Sequence, residues 1–100
     1  MSTRPVLEKH VEAKFLKACK ARGWLCLKQN VVGRRGYPDR LVIRKDGLHV
    51  WVELKREKGV LSDSQKQAIS DLTAHSCKVL VCYETVDATI KLIEDYGCIT

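Results

Sequence analysis

The fold is decided by residues 38–55, which read PDRLVIRKDGLHVWVELK. Two runs of β-branched, aromatic and other apolar residues, Leu41–Ile43 and Val50–Val52, flank a turn sequence at Lys45-Asp46-Gly47. Strand-forming runs on either side of an Asp-Gly turn predict a β-hairpin. Both faces of the two strands carry apolar side chains. We therefore expect the sheet to be covered on both sides, as in layered α/β proteins.

The residues before the hairpin predict a helix, a short strand and a loop. Pro5 and Gly23 are placed as the start and stop of a helix. Between them, apolar residues recur every three to four positions, at Leu7, Val11, Phe15 and Ala18 or Cys19. Residues 24–28 have a strand pattern. Residues 29–37 are predicted to form a loop, because their glycines and Asn30 break any period.

The residues after the hairpin predict two more helices with a strand between them. Ser62 and Gln65 have the spacing of a capping box, followed by the apolar stripe Ala68, Ile69 and Leu72. Residues 79–82 are a buried strand, and Thr85 is a candidate cap for a helix with the apolar residues Ala88, Ile90, Leu92 and Ile93. The predicted order is α-β-β-β-α-β-α. It describes a single α/β domain over residues 1–100, with a mixed sheet flanked by helices.

Composition excludes several classes of protein. Of 100 residues, 45% are hydrophobic and 30% are charged, which is too apolar for a disordered tail and too charged for a membrane protein. The N-terminus lacks an apolar signal core, so we expect a soluble intracellular domain. The five cysteines are odd in number and form no CxxC pair, which favours reduced core thiols. The net charge of +6 fits either a phosphate-backbone partner or a solubilising surface.

Charged residues interrupt the most apolar strand of the chain. Glu53 and Lys55 are two positions apart and share a face, while Asp39 directly follows Pro38 at the start of the partner strand. A two-residue turn would place Asp39 opposite Leu54. A three-residue loop with Gly47 as a bulge would place Asp39 opposite Glu53 instead. We predict the second register, with Asp39 and Glu53 on one face.

Two carboxylates held together repel each other unless a cation lies between them. Mg²⁺ typically takes one or two carboxylates together with water and phosphate. A nearby lysine ammonium can then orient an attacking water or stabilise charge at phosphorus. This chemistry describes the hydrolysis of a phosphodiester. The alternative is an ordinary ion pair at a strand end.

The ordered series of motifs resembles the PD-(D/E)xK nuclease superfamily, and within it the VRR-NUC (virus-type replication-repair nuclease) domains. Gly36-Tyr37-Pro38-Asp39 stands ahead of Glu53-Leu54-Lys55, with Asp39 fourteen positions before Glu53. The similarity continues through Gly33-Arg34-Arg35 before it, and through Gly59 and Ser62-x-x-Gln65 after it. It covers about residues 8–83. The resemblance implies a restriction-endonuclease-like core.

The resemblance also implies roles for individual residues. Asp39, Glu53 and the main-chain carbonyl of Leu54 would bind Mg²⁺ or Mn²⁺, and Lys55 would be the catalytic lysine. The family's first-helix glutamate corresponds to Glu8, with Glu12 one turn later as the alternative. Gln65 would position water or the substrate strand, or would serve only as a cap. Phosphate contacts, or merely solvated charge, are expected at Arg34, Arg35, Arg40, Arg56 and Lys58.

A standalone domain of this kind resembles phage and bacterial proteins of the family. The implied function is a divalent-metal-dependent, structure-specific DNA endonuclease that resolves branched DNA such as four-way (Holliday) junctions in replication, recombination or repair. The expected partners are branched DNA and a second copy in a homodimer, with no membrane and no small-molecule cofactor. The expected location is a bacterial or phage-infected cytoplasm. The alternatives are a non-catalytic nucleic-acid-binding module and a subunit of a larger DNA-processing assembly.

Overall fold

The structure is a computed structural model that describes residues 8–55, 59–83 and 85–97. The order of its helices and strands confirms the predicted α-β-β-β-α-β-α arrangement. The elements are α1 (Glu8–Ala21), β1 (Leu25–Lys28), β2 (Arg40–Ile43), β3 (His49–Leu54), α2 (Asp63–Ala74), β4 (Lys78–Cys82) and α3 (Val86–Asp95). Some residues with a predicted role lie outside the described ranges, namely Pro5, Leu7, Arg56, Lys58 and Cys98.

The predicted helix caps are found at the expected residues. The Ser62 hydroxyl accepts a hydrogen bond from the Gln65 amide, and the Gln65 side-chain oxygen accepts one from the Ser62 amide, so the capping box of α2 is complete. Thr85 is the N-cap residue of α3, but its side chain makes no capping hydrogen bond. None of the helices in the described ranges combines the length and apolarity needed to cross a membrane.

The four strands form one mixed sheet in the order β1-β2-β3-β4. The first three strands are antiparallel neighbours, whereas β4 is parallel to β3. A parallel pair requires a crossover connection, and α2 lies within that connection. The prediction of a mixed sheet flanked by helices is therefore confirmed.

Between β2 and β3, Arg44 and Leu48 enclose a three-residue loop, Lys45-Asp46-Gly47. The Arg44 amide donates to the Leu48 carbonyl at 2.9 Å, and Gly47 adopts a φ of +89°, the left-handed conformation of a bulge glycine. The ladder then pairs Arg40 with Val52. This register is the one expected for a three-residue loop, and Asp39 and Glu53 are the positions that follow its last pair; that their side chains share one face stays a prediction.

The core lies between α1, α3 and one face of the sheet. Even-numbered residues of β2 and β3 point into it and meet the apolar stripes of the two helices. The side chains from these four elements are Val11, Phe15, Cys19, Val42, Val50, Val52, Leu54, Val86, Ile90 and Ile93. For α3 the predicted stripe was partly wrong, because Ala88 and Leu92 are exposed. The helical period starts at Val86 and therefore buries Thr89 with Ile90.

The other face of the sheet is covered only in part. Helix α2 packs against β4 at one edge, because the crossover from β3 to β4 places it there. At the opposite edge, Leu25 and Leu27 of β1 are 58% and 38% exposed. The expectation of cover on both sides concerned the two hairpin strands, β2 and β3, whose apolar residues are all buried or half-buried.

The cysteines of the described ranges are free thiols, as expected. Cys19 and Cys82 are buried, and Cys26 and Cys77 are half-buried. The Cys19 and Cys26 thiols share a hydrogen bond, which raises the pKa of Cys19 and lowers the pKa of Cys26.

Candidate active site

The predicted site residues gather at the open end of the β2–β3 hairpin. We define the open end as residues 38–39 together with residues 53–55, and the turn end as residues 44–48. Glu53 is only 7% exposed, although it is charged. A buried carboxylate requires hydrogen-bonding or cationic partners.

Gln65 connects Glu53 to helix α2. Its side-chain Nε2 donates a hydrogen bond to Glu53 Oε2 at 3.2 Å, while its Oε1 accepts from the Ser62 amide at 2.8 Å. The sequence left a capping role and an active-site role open for this glutamine. In the structure one side chain makes both contacts, because the amide presents a donor on one side and an acceptor on the other.

Pro38 leaves the carbonyl of Leu54 without a ladder donor from β2. Hydrogen-bonded pairs alternate along an antiparallel ladder, and the bond from the Arg44 amide to Leu48 fixes which pairs they are. Continued from that bond, the pattern places the amide of residue 38 against the Leu54 carbonyl. Proline has no amide hydrogen. The carbonyl thus remains available from the β2 side as an oxygen ligand.

The main chains of Asp39 and Lys55, near this carbonyl, are each hydrogen-bonded to another part of the sheet. The Asp39 carbonyl accepts from the Gln29 amide at 2.6 Å, and the Lys55 amide donates to the Cys82 carbonyl at 2.7 Å. Both backbones are therefore fixed to neighbouring strands. The side chain of Lys55 is half-buried.

A cavity of about 200 Å³ adjoins the open end on its α1 side. Its lining residues are Lys9, Glu12, Lys28, Asp39 and Leu54. Glu53 is not among them, and its described contact is with α2. The register thus brings Asp39 and Glu53 to opposing positions, while their described surroundings lie towards different helices.

Glu12, the alternative helix carboxylate, is engaged in an ion pair. Arg40 donates to Glu12 Oε2 from Nε at 3.1 Å and from Nη2 at 2.6 Å. Burial lowers the pKa of Arg40, but the hydrogen bonds that Arg40 donates to Glu12 and the negative charge of Glu12 outweigh this effect, so the pKa of Arg40 is raised. Helix α1 begins at Glu8, four positions earlier, and the assignment of Glu8 as the metal ligand stays a prediction.

Arg40 is only 8% exposed, which does not support the predicted phosphate contact. The sequence carried a signal for this pairing. Arg40 is an even-numbered β2 residue, on the same face as the buried Val42, and an inward-pointing charge needs a partner on the covering helix. Glu12 is that partner.

The predicted DNA-binding arginines of the loop before β2 lie on the surface. Arg34 and Arg35 are exposed, and the loop packs closely against α2 through Gly36. A Cβ atom on Gly36 would lie 2.3 Å from the main-chain oxygen of Ser64, so only glycine allows this approach. Tyr37 packs edge-on against Trp51 of β3, with ring centroids 6.4 Å apart.

The oxygen donors predicted for the open end are of the chemical type that a hard divalent cation prefers. The structure offers the Asp39 and Glu53 carboxylates and the Leu54 carbonyl, all oxygen ligands of the kind that Mg²⁺ and Mn²⁺ prefer. Among the side chains that the structure describes, which do not include that of Glu8, no three His, Cys, Asp or Glu residues cluster as a metal site. One or two carboxylates are usual for Mg²⁺, which keeps several waters.

Comparison with known proteins agrees with this arrangement. No curated protein matches the sequence. The family described as "VRR-NUC domain" matches residues 5–85. A solved structure described as "VRR_NUC domain" is 29% identical, with a TM-score of 0.76, and the alignment covers 89% of this chain and 96% of that chain. The resemblance and the restriction-endonuclease-like fold are thereby confirmed, and the chain belongs to the VRR-NUC family of nuclease-type domains.

Proposed function

We propose that the protein is a divalent-metal-dependent endonuclease that hydrolyses DNA phosphodiester bonds. The observation that carries the proposal is the register of the hairpin, whose last pair is Arg40 with Val52, so that Asp39 on one strand and Glu53 and Leu54 on the other follow it at the same end, where Pro38 has no amide hydrogen for the Leu54 carbonyl. An ordinary strand-end ion pair would not need this combination of oxygen ligands. Lys55, two positions after Glu53, supplies the positive charge that a phosphate requires.

The residues that would hold the cation are Asp39, Glu53 and Leu54 through its carbonyl. When bound, Mg²⁺ or Mn²⁺ neutralises phosphate charge and makes a bound water more acidic. Gln65 fixes the orientation of the Glu53 carboxylate through its 3.2 Å hydrogen bond. Because Glu53 is nearly buried, this contact restricts the carboxylate to one arrangement.

In the proposed hydrolysis a water oxygen forms a bond to phosphorus as the bond from phosphorus to the leaving sugar oxygen breaks. The water loses a proton, and the leaving oxygen gains one. The Lys55 ammonium stabilises the negative charge that accumulates on the phosphate oxygens. Lys55 is held in position by its main-chain bond to Cys82, so its side chain starts from a fixed point.

DNA is the proposed substrate, and branched DNA such as a four-way junction its proposed form. The net charge of +6 and the exposed arginines before β2 favour a polyanionic partner. Paired cuts on a two-fold symmetric junction need two equivalent active sites, which we propose a homodimer supplies. We place this activity in replication, recombination or repair within a bacterial or phage-infected cytoplasm.

The test is cleavage of a labelled panel of linear duplex, single strand, flap and four-way junction with Mg²⁺ or Mn²⁺. Asp39→Asn and Lys55→Ala are compared with Asp46→Asn and Lys45→Ala, the same two changes at the turn end of the hairpin. We expect the open-end variants to lose cleavage by about a hundred-fold or more. The turn-end variants should cut like the original protein. Light scattering measures whether the chain is a dimer.

Four outcomes would contradict the proposal, wholly or in part. Cleavage that survives in both open-end variants would exclude these residues as the site. Salt-dependent DNA binding without cleavage of any substrate would indicate the non-catalytic nucleic-acid-binding module. Absence of DNA binding altogether would indicate a subunit of a larger assembly that contacts protein. Efficient cutting by a monomer would remove only the homodimer.

A further inference from the structure

A second cleft lies beside the open end, between the loop before β2 and helix α2. Two cavities of about 250 and 460 Å³ share three lining residues, Arg34, Tyr37 and Asp71. We call this region the loop–α2 cleft. It is separate from the cavity that Asp39 lines, and none of the roles assigned above to the metal ligands and Lys55 uses it.

The cleft contains the guanidinium of Arg34, which lies over the ring of Tyr37 and near the carboxylate of Asp71. The Arg34 Cζ atom lies 5.3 Å from the centroid of the Tyr37 ring, and the ring itself is fixed by its edge contact with Trp51. Asp71 Oδ2 lies 3.8 Å from Arg34 Nη2, while Asp71 Oδ1 accepts from Gln67 Nε2 at 2.9 Å. The Arg34 side chain is nevertheless 61% exposed. A flat cation is thus held over an aromatic ring while much of its surface remains open to solvent.

This combination suits a planar, polar ring system. Unpaired nucleobases stack on aromatic rings and on guanidinium planes, and such stacking tolerates any base because every base has a π-face. The Asp71 carboxylate offsets the charge of Arg34, so a bare phosphate is a poorer match for this cleft than a stacked base. Ser64 and Gln67 add a hydroxyl and an amide to the wall, both able to bond to base edges.

The cleft adjoins the candidate active site on both of its walls. Ser64 lines the cleft, and the next residue, Gln65, contacts Glu53. On the other wall Tyr37 is followed directly by Pro38 and Asp39. A nucleotide held in the cleft therefore lies close to the bond that the open end would cut.

We propose that the loop–α2 cleft binds an unpaired nucleobase of the DNA substrate, stacked on the guanidinium of Arg34. The inference rests on the proposed function for its substrate and deepens it, because it explains a preference for branched DNA. Such DNA offers unpaired or easily unpaired bases at its branch point, whereas a continuous duplex keeps its bases stacked. Flipping a base from an intact duplex costs unstacking energy.

The test is a binding experiment with the full chain in EDTA, so that no cleavage occurs. The probe is a DNA duplex with one unpaired 2-aminopurine, and its partner is the same duplex with that base paired. We expect the original protein to change the 2-aminopurine fluorescence and to bind the unpaired probe about ten-fold more tightly, a typical effect of one stacked base. Arg34→Lys keeps the charge but removes the flat guanidinium, so this preference should fall to near unity.

Arg22→Lys is the matched control. Arg22 also lies over an aromatic ring, 5.8 Å from the Trp24 centroid, and pairs with a carboxylate, that of Glu94. Arg22 directly follows the last residue of α1, whereas Glu12 lies near the first residue of that helix. Arg22→Lys should keep the full preference for the unpaired probe. Arg22→Lys should also bind the paired duplex with an affinity within about two-fold of the original protein, because it does not change the net charge.

An equal preference in Arg34→Lys and the original protein, or no preference in the original protein, would overturn the inference. Cleavage of the DNA panel separates this failure from failure of the proposed function. If the protein cuts DNA but shows no preference for the unpaired base, only the base-binding cleft is wrong. If it neither cuts nor binds any DNA, the proposed function fails and the cleft loses its substrate.

Discussion

The two ends of the β2–β3 hairpin use charged residues in opposite ways. At the turn end, the Arg44 guanidinium donates to the carbonyls of Ile93 and Tyr96 at 2.9 and 2.6 Å and pairs with Asp46. It thereby satisfies the C-terminal carbonyls of α3 and ties that helix to the sheet. At the open end, Pro38 has no amide hydrogen to donate to the partner strand, and Glu53 accepts a hydrogen bond from Gln65 of α2. One end satisfies its polar groups with each other, whereas the other keeps oxygen ligands available.

The largest effect should come from the loop that leads into the open end. Gly33 and Gly36 both have a φ of +82°, but a Cβ at Gly33 meets nothing within 4 Å, whereas one at Gly36 meets the backbone of Ser64. We expect Gly33→Ala to reduce the free energy of unfolding by about 1 kcal/mol through backbone strain alone. Gly36→Ala should reduce it by about 3 kcal/mol, because overpacking is added.

Urea denaturation of the two alanine variants measures this difference, and the pair differs only in the space around the new methyl group. Equal losses of stability would show that α2 does not constrain the loop at Gly36. Helix α2 packs against the loop at Gly36, and this packing also sets the position of Gln65 relative to Glu53. Gly36→Ala should therefore lower cleavage activity even at temperatures where the variant is folded.

At the turn end, Arg44→Ala should reduce the free energy of unfolding by about 2 kcal/mol, since α3 carbonyls lose a charged donor. Lys91→Ala is the control, because it removes an exposed pair with Asp95 and should cost less than about 0.5 kcal/mol. Cleavage per folded molecule should be unchanged in both variants. A loss of activity in Arg44→Ala at full folding would show that the two ends are coupled.

How much of this could be foreseen depends on whether an interaction is local in sequence. The hairpin loop, the capping box of Ser62 and Gln65, and the opposition of Asp39 and Glu53 all follow from turn chemistry and strand periodicity within short segments. The resemblance to the family motif indicated the same residues without any use of turn chemistry or strand periodicity. The structure confirms the hairpin loop and the capping box, whereas the shared face of Asp39 and Glu53 stays a prediction.

The contacts that were missed join residues far apart in the chain. Arg44 contacts the end of α3 about fifty residues later, and Arg40 pairs with Glu12 twenty-eight residues earlier. Periodicity shows that a charge points inwards but does not identify which helix will cover it. The exposed Leu25 and Leu27 were missed for the same reason, because strand patterns do not show where a crossover helix will lie.

At the open end, Pro38→Ala should restore an amide hydrogen that can bond to the Leu54 carbonyl. We expect cleavage to fall by about ten-fold and the apparent affinity for Mg²⁺ to fall with it, the usual cost of disturbing the groups around a metal ligand. Stability should change by less than about 1 kcal/mol, because the new hydrogen bond offsets the lost packing of the buried ring. Calorimetric titration with Mg²⁺ measures the affinity. Unchanged Mg²⁺ binding in this variant would exclude the Leu54 carbonyl as a ligand.

The smallest effect should appear in the pH dependence of the turn end. The hydrogen bond from Arg44 lowers the pKa of Asp46 from 3.8 to about 2. A carboxyl group with a lowered pKa in the folded state stabilises the fold above its unfolded pKa, and this contribution is lost as the pH falls towards the folded value. The difference in Tm between the original protein and Asp46→Asn should therefore be constant above pH 5 and narrow between about pH 4 and pH 2. In an Arg44→Ala background, the Asp46→Asn change should produce no pH-dependent difference in Tm, because the hydrogen bond that lowers the pKa of Asp46 is absent. A difference that narrows equally in both backgrounds would mean that the Asp46 carboxylate responds to something other than Arg44.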